Sequence, residues 1–394
     1  MPDTTIVDVV GRRLWSAGGA AAVEAEVRLA CGARGRALAA PPGACAAAPA
    51  AGASAVALSG LVAAALHGID ARRQEDIDAT LFRLELGGDA RTRRAALAAA
   101  SIASARAAAR ALGQPLHRYL APGQPARMPL PVIDIFAGAS SASPMRALSI
   151  LPFTADGVEQ ALELGLAIHR AAIEVCGAIA PGEYDESTLE SLVVAIESLG
   201  LAPGAEVGIL VDVGAGRLYA GGRYGGPDWS ADRREWALRV ASWLDGYPIA
   251  GIVEPFAEQA ALGRLCRDAA DRVRVIADES LASDAERIAA AAAEQSASGV
   301  VLCPESAGTL SELRVAFDAA RLAGWPVFMG GGEIAVDDAS VVHLATAWQA
   351  GYVKLGAVGD GTSLARWNEA LRIEASLRQA PGAFRVQAAA RMVH

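Results

Sequence analysis

The chain has 394 residues, 53% of them hydrophobic and 20% charged, and a net charge of -9. This balance fits a folded chain long enough for two domains, or for a large barrel with a cap; with no stripe of basic residues, it argues against disorder and against a nucleic-acid partner. The cysteines Cys31, Cys45, Cys176, Cys266 and Cys303 lack C-x-x-C spacing, and Ser and Arg break the alanine-rich runs before a bilayer span is reached, so the expectation is a reduced, soluble, cytoplasmic protein without zinc or membrane contact.

In chain order, apolar residues alternate with others over Thr5 to Val10 and again over Val23 to Leu29, with turn residues from Ser16 to Gly19 between them, which predicts a hairpin. Helical spacing follows over Leu58 to Leu66, Asp76 to Leu84 and Arg91 to Leu112, and strands followed by helices predict an α+β unit. Residues 120–131 are rich in proline and read as a hinge, dividing a capping domain at 1–125 from a second domain at 126–394. From there apolar strand candidates alternate with amphipathic helices. The strand candidates are Pro131 to Phe136, Ala147 to Leu151, Glu206 to Val213, Ile249 to Glu254, Arg274 to Asp278, Gly299 to Cys303, Pro326 to Met329 and Gly351 to Leu355. That alternation predicts a parallel sheet closed into a (β/α)8 barrel, whose active site would gather at the C-terminal ends of the strands.

Those ends carry Asp212, Glu254, Asp278 with Glu279, and Lys354. Clustered carboxylates suit a hard divalent cation such as Mg²⁺, although each could equally cap the helix that follows it. Of the chain's basic side chains, Lys354 is the one lysine and all the others are arginine. A position that keeps an ammonium needs what a guanidinium cannot supply: a compact head that can be desolvated or lose its proton. The glycine run Gly330 to Gly332 could present backbone N–H groups to an anion, or be a plain loop. Tyr219, Tyr224 and Trp229, in or just after the glycine-rich segment 214–226, suggest a lid over the mouth, or an ordinary surface loop. His67, His117, His169 and His343 read as structural residues beside amphipathic helices.

The order of these residues and the words around them resemble the enolase family. Ile6 to Leu14 with Val23 to Val27 is similar to the family's opening hairpin. Gly113 to Leu120 and Leu130 to Ile135 are similar to its entry into the barrel, and Ser306 to Leu313 with Leu371 to Glu374 match its wording nearly letter for letter. The resemblance implies a modified (β/α)8 TIM-type barrel with an N-terminal α+β capping domain, usually dimeric, with Mg²⁺ in its mouth stabilising an ene-diolate. It places Lys354 on the lysine that contacts the substrate carboxylate, and Asp212 and Asp278 on metal ligands.

Departures from the family are equally specific. Val253 replaces the second metal-binding glutamate, with Glu254 one residue later, and alternation of side chains along a strand brings Glu254 to the metal only where the strand turns or bulges. Cys303 replaces the lysine that removes the substrate proton, and Cys176 lies in the segment that replaces the acid-bearing one. Ala147 replaces a glutamate and Ser141 a histidine, and the serine loop ends as Pro42 to Cys45. The phosphate-binding motif becomes Phe328 to Glu333 and loses its arginine. Each lost acid, base or oxyanion partner typically removes roughly 10²-fold or more in rate, so a glycolytic hydratase is excluded.

Two readings follow. One is a divergent enolase-superfamily lyase or isomerase of a biosynthetic pathway, acting on a small carboxylate, phosphorylated or phosphonate-bearing. In it Lys354 serves as base or carboxylate anchor, and Asp212, Glu254 and Asp278 hold Mg²⁺. Cys303 and Cys176 line the mouth as reactive or packing residues, and Gly330, Gly331, Gly332 and Glu333 contact the substrate. The other is a catalytically silent pseudoenolase, a binding or scaffolding subunit. Both are expected as homodimers.

Overall fold

The computed structural model describes residues 1–16, 19–41, 48–138, 143–177, 183–269, 271–331 and 336–379. Strands β1 (Ile6–Trp15), β2 (Ala21–Leu29) and β3 (Arg34–Ala39) form an antiparallel sheet. The expected hairpin is its first two strands. The third, with arginines at both Arg34 and Arg36, carries too little apolar signal to stand out in the sequence. Val23, Ala25, Val27 and Leu29 of β2 are fully buried, as period-two alternation requires. The helix Ala90–Ala111 lies against this sheet, with Asp89 as its N-cap accepting hydrogen bonds from the Arg91 and Thr92 amides.

Eight strands close the barrel. They are β4 (Leu130–Phe136), β5 (Ala147–Pro152), β6 (Val207–Asp212), β10 (Ile249–Val253), β11 (Arg274–Ala277), β12 (Gly299–Leu302), β13 (Val327–Met329) and β14 (Tyr352–Ala357). All eight fall where apolar runs mark them. Their directions correct the expectation of a uniformly parallel sheet, because β5 runs antiparallel to both β4 and β6. The connection from β4 to β5 contains no helix among its described residues, and without a crossover the chain returns beside itself in the opposite sense. The barrel is plugged by a cluster that includes Leu151, Leu210, Val253, Ile276, Val301, Cys303, Phe328 and Tyr352, as inward-facing layers fill such barrels.

Between β6 and β10 the chain forms a small antiparallel meander of β7 (Tyr219–Ala220), β8 (Arg223–Gly226) and β9 (Trp229–Ala231). This is the segment that suggested a lid. Tyr224 is buried, stacks on Trp236 of the helix Arg233–Gly246 and donates to Glu258, while Trp229 also stacks on Trp236. The aromatic side chains therefore fasten the meander to a helix.

A buried carboxylate joins cap to barrel. Asp78 Oδ1 accepts from Gln74 Nε2 at 2.9 Å and Ser101 Oγ at 2.6 Å, and its Oδ2 accepts from the amide and hydroxyl of Ser311 at 2.9 and 2.7 Å. Ser101 Oγ also receives the Leu310 amide at 3.0 Å. The Ser306 to Leu313 wording is thus the docking surface for the cap. Glu374, in the other closely matching stretch, receives the Val158 amide at 3.0 Å and caps the helix Val158–Cys176, which has no side-chain cap of its own. Among the described residues no helix is long and apolar enough to cross a membrane.

Candidate active site

Because β5 is reversed, its first residue pairs with the last residue of β6, Ala147 opposite Asp212. The mouth therefore receives one chain segment entering a strand among several leaving theirs. Arg146, just ahead of β5, donates its amide to the Asp212 carbonyl at 2.6 Å. Its guanidinium donates from Nε to Asp212 Oδ1 at 3.0 Å and from Nη2 to Asp212 Oδ2 at 2.9 Å. It also donates from Nη2 to Asp278 Oδ2 at 3.1 Å and from Nη1 to Glu279 Oε1 at 2.8 Å. This planar fork matches two carboxylates side by side. Sequence reasoning missed Arg146, because it searched strand C-terminal ends and the mouth also holds a strand beginning.

Lys354 does lie in the mouth, with Nζ 3.5 Å from Asp212 Oδ2. Burial lowers its proton affinity, but the negative charges of Asp212, Asp134 and Asp278 outweigh burial and hold the ammonium above its ordinary pKa. Of the two roles open to it, anchor and base, the environment favours the charged anchor. Burial raises the Asp212 carboxyl, and Arg146 and then Lys354 more than reverse that, leaving it below the usual range. Asp278 is pushed up by burial to about 7, with Arg146 and Lys354 pulling only part of the way back.

Glu254 follows β10 with a φ of 44°, the left-handed region that a non-glycine residue seldom adopts. The strand does turn there, the condition under which Glu254 could leave the face that alternation gives it. Its carboxylate is spent on backbone, however: Oε1 accepts the Asp278 amide at 3.0 Å and the Ser280 amide at 2.7 Å. Val253 faces the barrel core instead.

Cys303 is buried in the barrel interior. Burial first, then the charges of Asp278 and Glu305, raise its thiol well above the ordinary value, so it sits as a neutral thiol and not as the thiolate a nucleophile needs. Cys176, half-buried at the end of the helix Val158–Cys176, packs on the outer apolar layer. For both, packing is the role the geometry supports.

Gly330 and Gly331 stand between two cations. A Cβ on Gly330 would lie 3.5 Å from Lys354 Cδ and 3.6 Å from Cys303 Sγ, and one on Gly331 would collide with Arg366 Nη2 at 2.2 Å. Arg366, on the helix Gly361–Arg378, is 8% exposed, and its Nε has no hydrogen-bond partner. It lines a narrow cavity between cap and barrel with Leu38, Ile102, Glu305, Asp338 and Ser340. Sequence reasoning missed it too, since an arginine on an amphipathic helix reads as a surface charge. Gly332, Glu333, Ser141 and Cys45 lie outside the described residues.

The expected Mg²⁺ set can be tested on these contacts. Asp212 and Asp278 share Arg146, Glu254 is turned onto two amides, and among the described residues no three His, Cys, Asp or Glu side chains are arranged to hold a metal ion. Mg²⁺ demands oxygens at about 2.1 Å in near-octahedral array, and a guanidinium wedged between the donors excludes that. The residues present do not fit the metal.

A family profile described as Enolase, C-terminal TIM barrel domain, matches residues 125–389. The chain is also similar to two curated proteins named Enolase 2, from Pseudomonas syringae pv. syringae and Pseudomonas syringae pv. tomato. Each is 30% identical over 326 residues, covering 77% of this chain and 76% of the relative.

Proposed function

The chain belongs to the enolase family, and from that premise we propose that it is a divergent lyase or isomerase that binds a small carboxylate bearing a second acidic group, a phosphate or phosphonate, across the barrel mouth. One observation carries this reading: two cations, half-buried Lys354 and buried Arg366, flank the same pair of glycines, and the Nε of Arg366 has no hydrogen-bond partner. A buried donor without a hydrogen-bond partner costs about 1–3 kcal/mol, and a ligand anion relieves that cost. Lys354 holds the carboxylate as a compact ammonium. Arg366 takes the second acidic group with its planar donors. The negative charge of the bound dianion is balanced by these fixed cations. The reading extends to a cytoplasmic homodimer, on the strength of family membership; light scattering on the purified protein checks the dimer.

The test is calorimetric titration with 3-phosphonopropionate and with propionate, followed by proton NMR in D₂O for exchange or elimination on a panel of phosphorylated and phosphonate-bearing carboxylates. Binding that needs both acidic groups and weakens in Arg366→Gln, with exchange lost in Lys354→Met, is the expected result. Binding without exchange on any member would favour the pseudoenolase reading, which rests on its own observation: the acidic half of the mouth is already neutralised from within by Arg146. Absence of binding to every member overturns the proposal.

A further inference from the structure

The geometry points to Arg146 as a built-in cation standing where a divalent metal would stand, so that the folded protein is indifferent to divalent ions and removal of this one guanidinium opens the Asp212–Asp278 pair to them. Three features support this. Nη2 of Arg146 lies 2.9 Å from Asp212 and 3.1 Å from Asp278, the bridging place that a cation shared by both carboxylates must take. The residue is fixed twice, by its side chain and by the 2.6 Å bond from its amide to the Asp212 carbonyl, so the guanidinium is positioned by the sheet itself. Beside it, Gly214 has a φ of 54°, and a Cβ there would meet Arg146 Cζ and Nε at 3.2 Å; the missing side chain leaves the fork its room.

Charge and chemistry agree with geometry. A guanidinium stays protonated at any accessible pH and brings its own hydrogen-bond donors, so it supplies a permanent positive charge without an open coordination position. A resident metal can polarise a bound oxygen directly; this arginine can do so only by hydrogen bonding. Glu254 has one oxygen turned onto two backbone amides and does not share in the Arg146 fork. The inference holds whether or not the protein binds a carboxylate, because it concerns only the state of the acidic half of the mouth.

The experiment is Mn²⁺ titration followed by electron paramagnetic resonance and by thermal denaturation, on the full chain stripped with chelator. The unaltered protein is expected to show no stoichiometric Mn²⁺ binding and no shift of melting temperature with Mn²⁺ or chelator. Arg146→Gln is expected to bind one Mn²⁺ about tenfold or more tightly than the unaltered chain, with a melting temperature that rises on Mn²⁺ addition, and Asp212→Asn added to that variant is expected to remove the gain. One Mn²⁺ bound by the unaltered protein and lost in Asp212→Asn overturns the inference, as does a folded Arg146→Gln variant that gains nothing. If Arg146→Gln does not fold, the titration of the unaltered protein against Asp212→Asn still decides.

Discussion

The two halves of the barrel mouth solve the problem of buried charge in opposite ways. On the β5–β6–β11 side every strong charge has an internal partner: Arg146 with Asp212, Asp278 and Glu279, and Glu254 with two amides. On the β12–β13–β14 side Lys354 reaches one carboxylate at 3.5 Å, and Arg366 has a buried Nε with no partner. A satisfied half stabilises the fold and has nothing left to offer a ligand; an unsatisfied half costs stability and can bind. The contrast supports the proposed binding on the glycine-flanked side, although the family's metal chemistry would put it on the other.

The largest effect is expected from breaking the satisfied half. Arg146→Ala leaves three carboxylates facing one another and should cost about 3–5 kcal/mol of unfolding free energy, read by urea denaturation in chelator. A loss under about 1 kcal/mol would mean the pairs contribute no more than surface ones do. Next comes the unsatisfied half. Arg366→Met keeps the stem and removes the unpartnered Nε donor, so stability should change by no more than about 1 kcal/mol while affinity for a phosphonate-bearing carboxylate disappears. A large destabilisation instead would show that Arg366 has a partner in the free protein. Lys354→Arg preserves charge but not shape and should weaken binding about tenfold; unchanged affinity would remove the case for a compact ammonium.

The smallest effect lies away from the mouth and calibrates the rest. His117 and His343 stack with their Nδ1 atoms 3.3 Å apart, and His343 Nε2 lies 3.1 Å from Glu369. Burial, then the charge of His343, pushes His117 down to about 4. Its folded value is depressed below the ordinary one near 6.5, so the unfolded chain takes the proton first as pH falls. The His117 contribution to stability is full above about pH 6.5 and should drop by on the order of 1–2 kcal/mol towards pH 4, against an opposite contribution from Asp278, whose raised value makes the folded chain take that proton first over the same range. His117→Gln should remove that contribution and leave the one from Asp278, whereas Arg146→Ala, which takes away the cation that lowers Asp212 and Asp278, should enlarge the opposite one.

Much of this was legible before any coordinates. Each of the eight barrel strands is a short apolar run bounded by turn residues, and Lys354 stood out because composition isolates it. What the sequence hid was direction. Nothing within Ala147–Pro152 says that it runs against its neighbours, and that reversal alone brings Arg146 to the mouth. Glu254 was read as reaching the mouth only through a turn, but where its carboxylate would go depended on amides of the next strand's loop. Arg366 hid for a third reason: a burial that helical periodicity assigns to no arginine. Position was readable for Cys303, and protonation was not, since the latter is set by burial.

Asp78 carries one consequence further. Its two oxygens are held by residues more than two hundred positions apart in the chain, Gln74 and Ser101 on one side and Ser311 on the other. Pulling the N-terminal layer away would take from Asp78 both hydrogen bonds that Ser311 gives it, so the two layers are expected to melt together. Calorimetry should then record one endotherm, and a barrel expressed alone should be far less heat-resistant than the whole.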